Sequence, residues 1–98
     1  MNLPLRFRDE IPDDIAAACH WYEERQEGLG QDFLEELPEV LQRITGNPEM
    51  YAVRRRDVRS ARMHRFPYVV YYRIIANSVA VIAVMFGVRD PSAWQDRI

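Results

Sequence analysis

The sequence contains no lysine and only one cysteine. All 13 of its basic residues are arginines, set against 15 acidic residues, so the formal net charge is −2. A lone cysteine cannot form an internal disulfide framework, which excludes the small disulfide-stabilised secreted proteins. A chain of 98 residues is the size of one small domain, and we expect residues 1–98 to fold as a single unit.

Long apolar runs are also missing. The longest uncharged stretch, residues 74–88, has 15 residues and contains Asn77 and Ser78, so it is too short and too polar to cross a bilayer. The opening residues, Met1 to Arg6, show no apolar run of the kind that signal peptides have. Hydrophobic residues still make up 48% of the chain, too many for a disordered protein. We therefore expect a folded cytoplasmic domain that makes no membrane contact.

The charges are divided unevenly along the chain. Residues 1–50 carry 4 arginines and 12 acidic residues, a net charge of −8, whereas residues 51–98 carry 9 arginines and 3 aspartates, a net charge of +6. An acidic half followed by a basic half favours partners of opposite sign, either nucleic acid or an acidic protein. The division is nevertheless better interpreted as an acidic layer of helices against a basic layer of strands than as two partner-binding segments.

Two helices are predicted in the acidic half. The first begins near Pro12, where aspartates follow at the positive end of the helix dipole. Its apolar residues recur at helical spacing: Ile15, Ala18, Cys19 and Tyr22. The second, from about residue 31 to residue 45, has the strongest period, and Pro38 inside it predicts a kink or a fresh helix start. Glycines at positions 28 and 30 end the first helix and make the pair an antiparallel hairpin.

Neither helix offers a convincing chemical site. The acidic residues of the second helix are interpreted as a solvated face: Asp32, Glu35, Glu36 and Glu39. The side chains of Cys19 and His20 diverge by about 100° on a helix, which is poor geometry for holding a metal. We therefore predict no metal and no cofactor.

Beyond residue 50 the apolar residues change from helical spacing to an alternation with a period of two residues. This pattern predicts three consecutive antiparallel strands at residues 58–66, 68–75 and 79–86, after a short extended segment at residues 3–8. The expected fold is α+β: an N-terminal strand, then a two-helix antiparallel hairpin packed on one face of a three- to four-stranded antiparallel sheet.

Two helices cover only one face of such a sheet, so the other face is expected to be open. Strand alternation assigns six polar and apolar side chains to it: Ser60, Arg62, His64, Val69, Tyr71 and Arg73. Arginine presents a planar fork to phosphate or carboxylate, and an exposed apolar strip edged by arginine favours a binding surface. The run Arg54–Arg56 alone is interpreted as a solvated edge.

Three motifs in the basic half are more specific. They are Arg65-Phe66-Pro67-Tyr68, Tyr71-Tyr72-Arg73 and Gly87-x-Arg89-Asp90-Pro91. Upstream stands the segment W-Y-E-E-R-x-x-G-L-G-x-D-F-L-E-E-L. With these motifs the chain resembles the RelE/ParE family of type II toxin–antitoxin toxins, from about Asp13 to Trp94. The resemblance implies the fold expected above and a small cytoplasmic bacterial toxin.

The resemblance also implies partners. A cognate antitoxin with an acidic, amphipathic segment would wrap and neutralise the toxin in a hetero-oligomer. RelE-like members cut mRNA on the ribosome with basic residues of the sheet, whereas ParE-like members lack those residues and inhibit DNA gyrase. Arg62 and Arg89 match basic positions of the ribonucleases. However, Val69 stands where they carry an arginine, and Gln95, beside Trp94, stands where they carry a catalytic aromatic residue or histidine.

The resemblance therefore favours the ParE-like branch, a gyrase inhibitor with no catalytic residues of its own. The implied target- or antitoxin-binding surface consists of Ser60, Arg62, His64, Val69, Tyr71, Arg73, Arg89 and Trp94. Two alternatives stay open. One is a ribosome-dependent mRNA endoribonuclease that would use Arg62, His64, Arg73 and Arg89. The other is a non-toxic module that only binds its antitoxin.

Overall fold

The computed structural model describes residues 2–87 and 92–98, and its elements follow the predicted order. They are β1 (Leu5–Phe7), α1 (Ile11–Arg25), α2 (Leu29–Gly46), β2 (Val53–Arg55), β3 (Val58–Arg62), β4 (Tyr68–Ile75), β5 (Ser78–Phe86) and α3 (Ser92–Gln95). The strands form one sheet in the order β1-β5-β4-β3-β2. β1 pairs in parallel with β5, and the other neighbours pair antiparallel. The α+β fold is confirmed, with five strands where three to four were expected.

The additional strand, β2, comes from the arginine-rich run that sequence patterning interpreted as a solvated edge. All three of its residues are exposed, so the run has no alternating apolar pattern to reveal a strand. A two-residue turn, Arg56-Asp57, joins β2 to β3, and Arg56 adopts a φ of 53° in it. β3 ends at Arg62 and not at residue 66 as expected.

The helix α2 runs without interruption through Pro38, so the fresh helix start expected there was wrong. Proline removes one backbone amide from the helix ladder. The residues on both sides of it, Leu37 and Val40, are nevertheless buried in the main core. Packing of the apolar face against the sheet holds the helix together where the missing hydrogen bond would weaken it.

The two glycines of the hairpin do not act in the same way. α1 already ends at Arg25, and Gly28 makes the turn into α2 with a φ of +87°, a left-handed conformation that suits glycine. Gly30 lies inside α2 and is buried, so its predicted role in ending α1 was wrong. A Cβ atom at Gly30 would lie 2.8 Å from the carbonyl oxygen of Cys19. Gly30 therefore sets how closely the two helices approach.

We expect Gly30→Ala to lower the free energy of unfolding by roughly 2 kcal/mol, because the added methyl group meets backbone that cannot easily move. Gly28→Ala is the comparison, since its Cβ would enter open space and only the left-handed backbone is strained, which costs about 1 kcal/mol. Urea unfolding of both variants checks the ranking. Equal stability of Gly30→Ala and the wild type would contradict the close approach of the helices.

Each face of the sheet carries a buried cluster. On the helix side, Val70 and Tyr72 join the main core with residues of both helices, as strand alternation predicts. On the other face, a second cluster contains Val58, Val69, Tyr71, Ile82, Ala83 and Trp94. The β4–β5 register shifts between Tyr71 and Tyr72, which allows the neighbours Ile82 and Ala83 to belong to the same cluster.

Tyr72 makes stability depend on pH in the alkaline range. Its hydroxyl donates a hydrogen bond to the carbonyl of Pro48, and burial raises the pKa of the Tyr72 phenol from 10.0 to about 12. The folded chain holds the phenol proton of Tyr72 more tightly than the unfolded chain does. The stability that Tyr72 contributes is therefore complete below pH 10 and is lost as the pH rises to about 12. Tyr72→Phe should lose less stability across that window in urea unfolding. A loss equal to that of the wild type would assign the alkaline effect to other groups.

Candidate functional site

Five of the predicted surface residues line one pocket on the sheet face opposite the helical hairpin. Ser60, Arg62, Val69, Tyr71 and Trp94 are joined there by Arg54 and Gly87, around a volume of about 320 Å³. We call this the sheet pocket. Pairing of β3 with β4 brings its members together, since Ser60 lies opposite Tyr71 and Arg62 lies opposite Val69.

The sheet pocket is not the open apolar strip that the sequence predicted. Trp94, expected on an exposed binding surface, is only 2% exposed, and its ring stacks on Tyr71 with centroids 4.8 Å apart. Val69, Tyr71 and Ser60 are buried as well. The expectation was wrong because α3 folds back over this face. Among these residues the arginines remain accessible, and the apolar ones form walls.

The C-terminal segment is held in place by Arg97. Its guanidinium forms a two-pronged ion pair with Asp14 of α1, with N–O distances of 2.7 and 3.1 Å. It also donates to the carbonyl oxygen of Ile82. The hydrogen bond from the guanidinium to Asp14 raises the pKa of Arg97, which therefore stays charged. Sequence patterning had assigned Asp14 only to the helix start, and no local signal indicated its partner 83 positions along the chain.

The remaining predicted residues do not join the pocket lining. Arg73 pairs with Asp57 at 3.0 Å, and this hydrogen bond lowers the pKa of Asp57. His64 is exposed in the loop after β3. Val69, opposite the end of β3, and Arg73 are four residues apart along β4, or about 13 Å. Arg89 lies outside the described residues.

Glu36 was wrongly predicted to belong to a solvated acidic face. Its side chain is 5% exposed, and its carboxylate accepts hydrogen bonds from the backbone amides of His64 at 2.5 Å and of Arg65 at 3.0 Å. Asp32, one turn earlier, pairs with the side chain of Arg65 at 3.3 Å. These contacts attach the loop between β3 and β4 to α2. The solvated interpretation is confirmed only for Glu35 and Glu39, which are exposed.

Two apolar grooves on the helical hairpin were missed by the sequence analysis. One, of about 570 Å³, lies between α1 and α2 and is lined by residues that include Ile15, Ala16 and Leu34. The other, of about 420 Å³, has Leu5, Leu34 and Pro38 among its lining residues. Leu34 and Leu5 remain 38% and 37% exposed. We call these the hairpin grooves. The sequence signal that could have indicated them is the apolar helix face that runs from Leu34 to Leu41.

Neither a metal site nor a membrane-spanning helix is present among the described residues. Within residues 2–87 and 92–98, no three histidine, cysteine or acidic side chains are grouped so that they could hold a metal ion. No helix in that part of the chain has the length and apolar character that crossing a membrane requires.

Comparisons with known proteins identify the family. The family model described as the ParE toxin of type II toxin–antitoxin systems, parDE, matches residues 5–91. A solved structure of the chromosomal ParDE toxin–antitoxin system from P. aeruginosa superimposes with a TM-score of 0.72 at 14% identity, covering 84% of this chain and 92% of that chain. At that identity the likeness shows the fold alone, and no curated protein matches the chain. From the family match, the chain belongs to the ParE toxin family of type II toxin–antitoxin systems.

Proposed function

We propose that this protein is a toxin that inhibits DNA gyrase by protein–protein contact and is neutralised by a cognate antitoxin. The observation that carries the proposal is the family match over residues 5–91. Two of its own residues support inhibition over catalysis. Val69 is a buried apolar side chain where the related ribonucleases carry an arginine, and Gln95 stands where they carry an aromatic residue or a histidine.

The arrangement of the polar residues also favours an inhibitor over an endoribonuclease. In-line cleavage of RNA needs a proton acceptor and a cation close to the same phosphate. His64 lies in the loop at one end of β4, whereas Arg73 lies toward the other end, where Asp57 already pairs with it. Among the described residues, Arg73 is therefore set apart from His64.

The hairpin grooves are the surface that we propose for the antitoxin. Exposed leucines at positions 5 and 34 border them, and Phe7 on the neighbouring edge strand β1 is 50% exposed. An amphipathic segment that folds on binding would bury its apolar side chains there. Acidic residues farther along a wrapping segment would pair with arginines of the sheet, so the affinity of the antitoxin should fall as salt is added.

Growth after induction, with and without the adjacent reading frame, tests the toxin assignment. We expect arrest when this chain is expressed alone and normal growth when the antitoxin is co-expressed. Normal growth without antitoxin would instead support the non-toxic module. Codon-register cuts in primer extension on mRNA would support the ribonuclease.

A groove variant tests the antitoxin surface separately. Leu34→Asp places a charge in both hairpin grooves, so co-expressed antitoxin should no longer restore growth, while toxicity alone persists. Glu35→Ala, at an exposed neighbouring position, is the matched control and should be rescued normally. Full rescue of Leu34→Asp would contradict binding at the grooves.

A further inference from the structure

The sheet pocket contains an excess of hydrogen-bond donors. Arg54 and Arg62 both line it, and none of the described residues that line it with them carries a carboxylate. The Arg54 Nε donates to the hydroxyl of Ser60 at 2.8 Å, which fixes that guanidinium at the wall. Trp94 also lines the pocket, and its indole N–H is buried and has no acceptor among the described residues.

Four other arginines among the described residues have a carboxylate partner within the chain. Arg8, Arg65, Arg73 and Arg97 each form an ion pair with a carboxylate of the same chain. Arg54 and Arg62 form no such pair within residues 2–87 and 92–98. Arg54 and Arg62 are thus two of the described arginines without an internal carboxylate, and both line the same pocket.

We infer that the sheet pocket binds a single oxyanion, a carboxylate or a phosphate group. Two guanidinium forks beside a fixed hydroxyl suit planar or tetrahedral oxygen anions. The volume of about 320 Å³ lies at the low end of ligand pockets, which favours one small anionic group over a larger cofactor. The apolar walls made by Val69, Tyr71 and Trp94 lower the local dielectric and so strengthen such contacts. This inference rests on the pocket and does not require that gyrase be the target.

The two tryptophans give a direct readout. Each contributes one indole N–H signal in a ¹H–¹⁵N correlation spectrum; Trp94 lines the pocket, whereas Trp21 is 46% exposed on α1. The full chain is titrated with inorganic phosphate, and separately with acetate, at constant ionic strength. We expect the Trp94 signal to move to saturation while the Trp21 signal stays fixed. Saturation by phosphate alone assigns the site to phosphate groups, and saturation by acetate assigns it to carboxylates.

Matched variants test the arginines. Arg62→Gln, at an exposed position, should weaken binding about tenfold through loss of charged hydrogen bonds. Arg54→Gln should do the same, and its spectrum reports whether the fold is kept. Arg56→Gln, on the turn outside the pocket, should bind as the wild type does. An unmoved Trp94 signal with both anions, or equal weakening by Arg56→Gln, would overturn the inference.

Discussion

Asp14→Ala should lower the free energy of unfolding by about 3 kcal/mol, because it breaks an ion pair whose two side chains are only 10% and 16% exposed. The carboxylate also accepts a hydrogen bond from the backbone amide of Val84 at 3.0 Å. Its removal leaves the Arg97 guanidinium and this amide without their shared acceptor. The melting temperature should then fall by more than about 10 °C, as thermal unfolding will measure.

Replacing the partner, Arg97, should lower the free energy of unfolding by less. Arg97→Ala leaves the Asp14 carboxylate bonded to the Val84 amide, so the loss should be smaller, and the double variant should cost no more than Asp14→Ala alone. Asp13→Ala, an exposed carboxylate in the same helical turn, is the control. If Asp14→Ala is as mild as Asp13→Ala, the ion pair does not hold the C-terminal segment on the sheet.

Glu36→Ala should have an effect of similar size, about 3 kcal/mol, because two partly buried backbone amides lose a charged acceptor. The loop between β3 and β4 would lose its attachment to α2. Urea unfolding measures the loss, and proteolysis should cut the variant within residues 63–67. The matched control is Glu35→Ala, which removes an exposed carboxylate from the adjacent position of the same helix. Wild-type stability of Glu36→Ala would show that solvent can satisfy both amides.

Local patterns were sufficient to predict the strands of the sheet centre. β4 occupies residues 68–75, as predicted, because a proline and a turn bound an alternating run. β5 begins one residue earlier than predicted, at Ser78, and it ends at Phe86, as predicted. Alternation also assigned Val70 and Tyr72 to the helix side and Val69 and Tyr71 to the other face.

The contacts that sequence patterning missed join residues far apart in the chain. Glu36 reaches an amide 28 positions away, and Asp14 reaches Arg97 across 83 positions. An acidic residue on a helix looks the same in sequence whether it meets water or a buried amide. For the same reason the binding surface was predicted as open, since nothing in the sequence shows that Trp94 folds back onto Tyr71.

The central claim, that this ParE-family toxin inhibits gyrase, is tested most directly by a supercoiling assay with purified components. Relaxed plasmid, gyrase and ATP are incubated with increasing amounts of the chain, and a topoisomerase I relaxation reaction serves as the specificity control. We predict that supercoiling falls as the chain is added, and that mixing the chain first with its antitoxin restores it. Undiminished supercoiling at a large molar excess of the chain would contradict the claim.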